Sequence, residues 1–233
     1  MKKILYVVFD TKGEKINEET KSTVSANLGK EDAIAFVGMS NTDSNEMYCS
    51  LKVEVNKIIN DVNNFDYVCL LPNGSTLNAE TRAIFNEHQQ DRDDDVKEVY
   101  LPLALYSSGD ITVVMNKQVW NQQLAYDAGV LDIDLAKRQI DSTIFGSFVP
   151  TSLFFNTDFY NSDIKYYQQY FVLNNFADKH LVLGIQKLLV TINNWDFKLE
   201  DVSDEDKTKY FLLARENWTK KPVSAVATVE MTK

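Results

Sequence analysis

The sequence predicts an α/β fold, with a mostly parallel central sheet and helices on both faces. Three observations lead there. The first ninety residues alternate strand and helix three times, the pattern of a wound sheet rather than of a bundle or a sandwich. The strand segments are short apolar runs without clean two-residue alternation, as expected where both faces of a strand are covered. The chain has 233 residues, 44% of them apolar, enough for one sizeable domain alone or with an appendage.

In order, residues 3–9 read as the first strand, a short run of β-branched and aromatic side chains. Residues 17–28 read as a helix entered through polar residues and closed by Gly29. "DAIAFV" at 32–37 is a second buried strand, and "GMSNTDSNE" at 38–46 a loop. Residues 47–62 give the strongest helix, because Tyr48, Leu51, Val55, Ile58, Ile59 and Val62 step by threes and fours or lie beside such a step. Residues 65–71 form a third strand. The turn Pro72-Asn73-Gly74-Ser75 carries no charge, and a helix follows over 78–90. "DRDDD" at 91–95 reads as a solvated acidic loop.

The second half has a different texture. Strands at 98–106 and 111–115, joined by Ser107-Ser108-Gly109-Asp110, predict a hairpin. Helices are expected over 118–127 and 132–140. "GSFVPTSLFFN" at 146–156 reads as a strand that its proline confines to an edge or a bulge. Residues 177–190 read as a buried helix with Leu181, Ile185, Leu188 and Leu189 on one face. Ser203 opens a further helix, with Asp206 placed as in a capping box. There is no internal repeat and no Gly/Ser linker.

Composition excludes several functions. The formal charge is -10, and the only short basic clusters are Lys2-Lys3, Lys137-Arg138 and Lys220-Lys221. Direct nucleic-acid binding needs a basic face, and anionic membrane surfaces repel an acidic chain. No apolar run approaches the ~18 residues that span a bilayer. Met1-Lys2-Lys3 opens like a signal peptide, but the apolar run ends at Phe9 and Asp10 follows, so an intracellular, cytoplasmic protein is expected. Cys49 and Cys69 lie in apolar segments and read as buried thiols. His88 and His180 lack zinc spacing. Nucleotide-binding glycine motifs and the G-x-S-x-G elbow are absent from the sequence. Trp120, Trp195 and Trp218, with Tyr166-Tyr167 and Phe154-Phe155, serve either the core or a sugar- or protein-binding surface. There are 8 glycines, where average usage predicts about 16. Asparagine pairs recur at 63–64, 174–175 and 193–194, so the composition suggests an A/T-rich genome such as that of a phage or a gut bacterium.

In wound sheets, ligands bind beyond the carboxyl ends of the strands. That rule singles out Asp10 and Thr11, the 39–45 loop with Asp43, and Asn73, Gly74 and Ser75. For Asp10 and Asp43, a plain turn carboxylate is the competing reading.

Three stretches resemble the GT-A fold and, within it, the family 2 glycosyltransferases. "SNTDSNE" (40–46) is similar to that family's loop after the second strand, often written D-D-G-S-T-D. "NFDYVCLLPNGSTLN" (64–78) is similar to its segment ending in D-x-D. "STIFGSFVPTSLFFN" (142–156) and "FADKHLVLGI" (176–185) are similar to its acceptor side, where a Glu-Asp pair opens a buried helix. The similarity implies a GT-A-like domain over 1–190 with a helical or irregular extension over 191–233. It implies transfer of a sugar from a nucleotide sugar to a hydroxyl by direct displacement. The family's D-x-D holds a divalent metal, but its aligned positions here are Pro72 and Gly74 about Asn73, so no metal cofactor is expected. The Glu-Asp pair aligns to Ala177-Asp178 and makes Asp178 the general base; a carboxylate beside a helix N-terminus is the alternative reading. The degenerate motif leaves a second function open: a catalytically inactive GT-A-like domain with a protein partner in an assembly, such as a virion.

Overall fold

A computed structural model describes residues 1–39, 47–90, 98–108, 111–115, 145–156 and 182–193. The predicted helices at 118–127, at 132–140 and from Ser203 lie outside these residues, as do the acidic loop 91–95, His180 and the three tryptophans.

The first half follows the sequence closely. Strand β1 (Ile4–Asp10), helix α1 (Glu18–Ala26), β2 (Ala33–Gly38), α2 (Met47–Ile58) and β3 (Tyr67–Pro72) come in the expected order. Asn17 caps α1 by accepting the Glu19 N–H at 2.7 Å. α2 is shorter than its periodicity predicts; the chain leaves it after Ile58 and makes a 3-10 turn over Val62–Asn64. Both β2 and β3 pair with β1 in parallel. Every residue of β1 and β3 is buried, which explains the absence of alternation in their sequences.

Beyond β3 antiparallel strands join, so the sheet is mixed rather than purely parallel. Among the described residues it has eight strands in the order β2-β1-β3-β7-β5-β8-β4, with β6 paired to β5. The later elements are β4 (Ser75–Leu77), α3 (Thr81–Gln89), the hairpin β5 (Val99–Ser108) and β6 (Ile111–Met115), β7 (Phe148–Pro150), α4 (Thr151–Asn156) and β8 (Val182–Asn193). Only the β5–β8 pairing is parallel among these.

Two expectations are corrected here. The 146–156 segment is an interior strand of three residues followed by a helix. Pro150 sits at the strand's last position, so its missing N–H ends the ladder in mid-sheet. Residues 182–190 are strand, not helix. β8 pairs with β5 through register shifts that set Pro102 against Ile185, Leu103 against Leu188 and Ala104 against Val190. The bulges break the two-residue period, so buried Ile185, Leu189 and Ile192 recur at helical spacing.

The sheet curls. Four interstrand steps separate β3 from β4, about 19 Å if flat. Only Asn73 and Gly74 lie between them, a link that spans at most about 11 Å. The end of β8 accordingly folds over toward β3. Gly146 N–H donates to the Leu70 carbonyl at 2.8 Å, and Val190 lies so close that a Cβ on Gly146 would stand 2.5 Å from its methyl. Gly146 also has φ +69°, a second reason for glycine at that position.

Aromatic side chains hold the layers together. Phe85 of α3 stacks on Phe148, Tyr67 and Tyr100 with centroids 4.4, 5.0 and 5.4 Å apart. Phe145 bridges Phe9 of β1 and Tyr48 of α2. Full burial of one such ring contributes about 1.5–3 kcal/mol. Cys69 is buried, Cys49 is half-buried, and the two are not joined in a disulfide. Among the described residues, no helix is long and apolar enough to cross a membrane.

Candidate functional site

The parallel register places Phe9 opposite Pro72, so β1 and β3 end side by side. Their next residues meet: Asn73 Nδ2 donates to Asp10 Oδ1 at 3.1 Å across 63 residues of sequence. β1 lies between β2 and β3 in the sheet, so the chain leaves β1 toward one side and β3 toward the other. Such a divergence is the position at which open α/β sheets in general receive ligands.

Asp10 is 4% exposed and organises the loop after β1. Its Oδ2 accepts the N–H groups of Lys12 at 3.1 Å and Glu14 at 2.6 Å. Its carbonyl accepts the Met39 N–H at 2.7 Å, which ties down the start of the 39–45 loop. Asp43 itself lies outside the described residues. Thr11 is half-buried at the loop's start, and Gly13 turns the loop at φ 76°.

Asn73 completes the pinning. Besides Asp10, its amide nitrogen donates to the Lys15 carbonyl at 3.3 Å, and its Oδ1 accepts the Asn17 N–H at 2.8 Å. Both amide protons are therefore engaged. Gly74 stands at φ 90°, where a side chain would be strained, and a Cβ would meet the Asn193 carbonyl at 3.3 Å. Its N–H donates to Thr20 Oγ1 at 3.2 Å, and its carbonyl accepts Asn193 Nδ2 at 3.1 Å. Ser75 is fully buried as the first residue of β4, and its hydroxyl has no hydrogen-bond partner among the described residues. As a ligand-binding group it is enclosed rather than presented.

The structure thus brings together Asp10, Thr11, Asn73 and Gly74. Asp178 lies outside the described residues, and the helix it was expected to open is a strand over 182–190. β8 runs parallel to β5 and carries Gly74's partner Asn193 at its far end. The sequence reading missed Thr20 and Asn193 as turn residues, because their contacts span 54 and 119 positions and leave no local signal.

The donor set at 72–75 does not fit a divalent metal. Pro72 and Gly74 offer no side-chain oxygen, Asn73 Oδ1 already accepts a backbone proton, and Asp10 accepts three hydrogen bonds. No group of three or more His, Cys, Asp or Glu able to hold a metal occurs among the described residues.

No protein-family model matches the chain, and no curated protein matches it. In structure it is similar to TarS of S. aureus, with TM-score 0.52 and 16% identity over 93% of this chain and 39% of that one. It is also similar to TarS 1–349 solved in complex with UDP, with TM-score 0.55 and 15% identity over 93% of this chain and 65% of that one. The chain thus spans about two fifths of the first structure's length and less than two thirds of the second's. The likeness shows a GT-A-like fold, as the sequence resemblance implied.

Proposed function

We propose that this protein is glycosyltransferase-like and binds the nucleotide of a nucleotide sugar at the carboxyl ends of β1 and β3. The observation that carries this reading is the Asp10–Asn73 hydrogen bond, which joins two strand ends and the 11–17 loop into one preformed edge at the sheet's switch point. A pinned edge binds without ordering cost. The UDP held by the similar TarS fragment makes UDP the first nucleotide to try. Calorimetric titration of UDP and UDP-sugars, with and without Mn²⁺, tests it. Saturable binding with the same affinity in both conditions is expected, since the turn offers no carboxylate to a metal. Absence of binding to any nucleotide sugar sinks the reading, and a tenfold gain with Mn²⁺ sinks its metal-independent form.

For sugar transfer by direct displacement, a base must take the acceptor proton. The resemblance gives that role to Asp178. Asp178→Asn is therefore expected to fold normally and keep nucleotide affinity while kcat falls ~10²–10⁴-fold, the usual cost of losing a positioned base. Turnover equal to that of the parent would remove the residue from the role.

A second reading, a GT-A-like domain with a structural or assembly role and no catalysis, is favoured by one specific feature. The polar atoms of Asp10 and Asn73 are turned inward on the chain itself. UDP binding without release of sugar from any UDP-sugar would select it.

A further inference from the structure

The site turn is held from behind by a helix that has little apolar reason to be there. Of the nine residues of α1 only Thr20 and Val24 are buried, so apolar packing alone docks it weakly. Its inner face instead reads Thr20, Thr23 and Asn27, spaced by three and four, and each meets the segment from the turn to α3. Gly74 N–H donates to Thr20 Oγ1 at 3.2 Å, and Leu77 N–H donates to Thr23 Oγ1 at 3.3 Å. Asn27 Nδ2 donates to the Asn78 carbonyl at 3.0 Å, and its Oδ1 accepts the Arg82 N–H at 3.1 Å. At the helix entrance, the Asn17 N–H donates to Asn73 Oδ1 at 2.8 Å.

These bonds form a ladder in register with the chain from 73 to 82. A slip of α1 by one residue would break every rung. An apolar face would tolerate such a slip; a ladder of single donors and acceptors does not.

We infer that Thr20 is a positioning residue for the nucleotide edge, acting through the Gly74 amide; this rests on the nucleotide-binding reading above. Gly74 lies next to Asn73, which pins the 11–17 loop, and its left-handed φ leaves the peptide free to rotate once its N–H is released. Thr20 is fully buried. Its hydroxyl fixes the one N–H that no strand partner takes, between the end of β3 and the start of β4. Asn193 holds the carbonyl side of the same residue, so the peptide on either side of Gly74 is fixed from opposite directions.

The test is Thr20→Val, which keeps the shape and removes the acceptor, beside Thr20→Ser, which restores it. Thr23→Val removes the neighbouring rung and serves as control. Amide hydrogen exchange at Gly74 and Leu77 is read together with UDP affinity by calorimetry, and circular dichroism reports folding. In Thr20→Val the Gly74 amide is expected to exchange at least tenfold faster and UDP to bind about tenfold more weakly, the equivalent of one lost buried hydrogen bond. Thr20→Ser should recover both, and Thr23→Val should speed exchange at Leu77 while leaving UDP affinity in place. Unchanged exchange at Gly74, or faster exchange with unchanged UDP affinity, overturns the positioning role and leaves nucleotide binding standing. A parent protein that binds no UDP overturns the nucleotide reading and the positioning role together.

Discussion

Asp32→Ala is expected to cost about 3–5 kcal/mol of stability, the usual penalty for removing one partner of a buried ion pair. Asp32 joins three groups through four contacts. Its Oδ1 accepts the Ile4 N–H at 2.8 Å and Arg82 Nη2 at 3.1 Å; its Oδ2 accepts the Gly29 N–H at 2.6 Å and stands 3.1 Å from Arg82 Nε. The Asp32 side chain is 1% exposed and the Arg82 side chain 11%. Alanine would leave the guanidinium without its counter-charge and two backbone N–H groups without acceptors, and Arg82 keeps only the Lys2 carbonyl at 2.6 Å and the face of Phe85. Against a total stability of ~5–15 kcal/mol, such a loss is large. Urea denaturation followed by circular dichroism should show the midpoint fall with little change in slope. Asp32→Ala combined with Arg82→Met should recover part of the loss, since the stranded charge goes with it. A deficit under ~1 kcal/mol would mean that solvent already screens the pair as it does surface pairs.

The same pair shows what a sequence can and cannot carry. Gly29 is legible as a helix stop. Its other role is not: a Cβ there would stand 2.9 Å from Asp32 Oδ2 and 3.1 Å from Arg82 Nη2, partners known only from the fold. The meeting of Asp10 and Asn73 was legible, because parallel neighbours of similar length end at the same level. The continuous apolar runs of β1 and β3 carry that information locally. β8 misleads because its bulges give it a helix-like period, and β4 is too short at three residues to show any period. The position of β7 in mid-sheet was hidden for a different reason. Proline argues for an edge only when it interrupts a ladder, and Pro150 ends one. Asp43 stands on the strand-end rule and the resemblance, and Asp178 on the resemblance alone, since both lie outside the described residues.

The amide at position 73 has a physical reason, and Asn73→Asp exposes it. A carboxylate there would face Asp10 at the 3.1 Å now spanned by a hydrogen bond. Like charges at about 4 Å repel by about 4 kcal/mol in a partly screened site, and Asp10 is too buried for water to relieve the pair. The variant would also lose the donor to the Lys15 carbonyl. A loss of about 3–4 kcal/mol at pH 7 is expected. The sign of its pH dependence follows from linkage. Repulsion raises the pair's proton affinity in the folded state above that of the unfolded chain, so the folded variant binds the extra proton more tightly. Its stability relative to the parent is then best below about pH 4, where a shared proton can bridge the two carboxyls, and falls as pH rises through the raised folded value. Urea midpoints at pH 4 and pH 7.5 check this. Asn73→Ala, which loses the hydrogen bonds without adding charge, should show a smaller deficit that is the same at both pH values. If Asn73→Asp shows a pH-independent deficit as well, the carboxylates swing apart and Asp10 does not constrain the turn. If the deficit grows with pH as expected, Asp10 is what excludes a carboxylate from position 73, and the anchor of the 11–17 loop is incompatible with an acidic residue there.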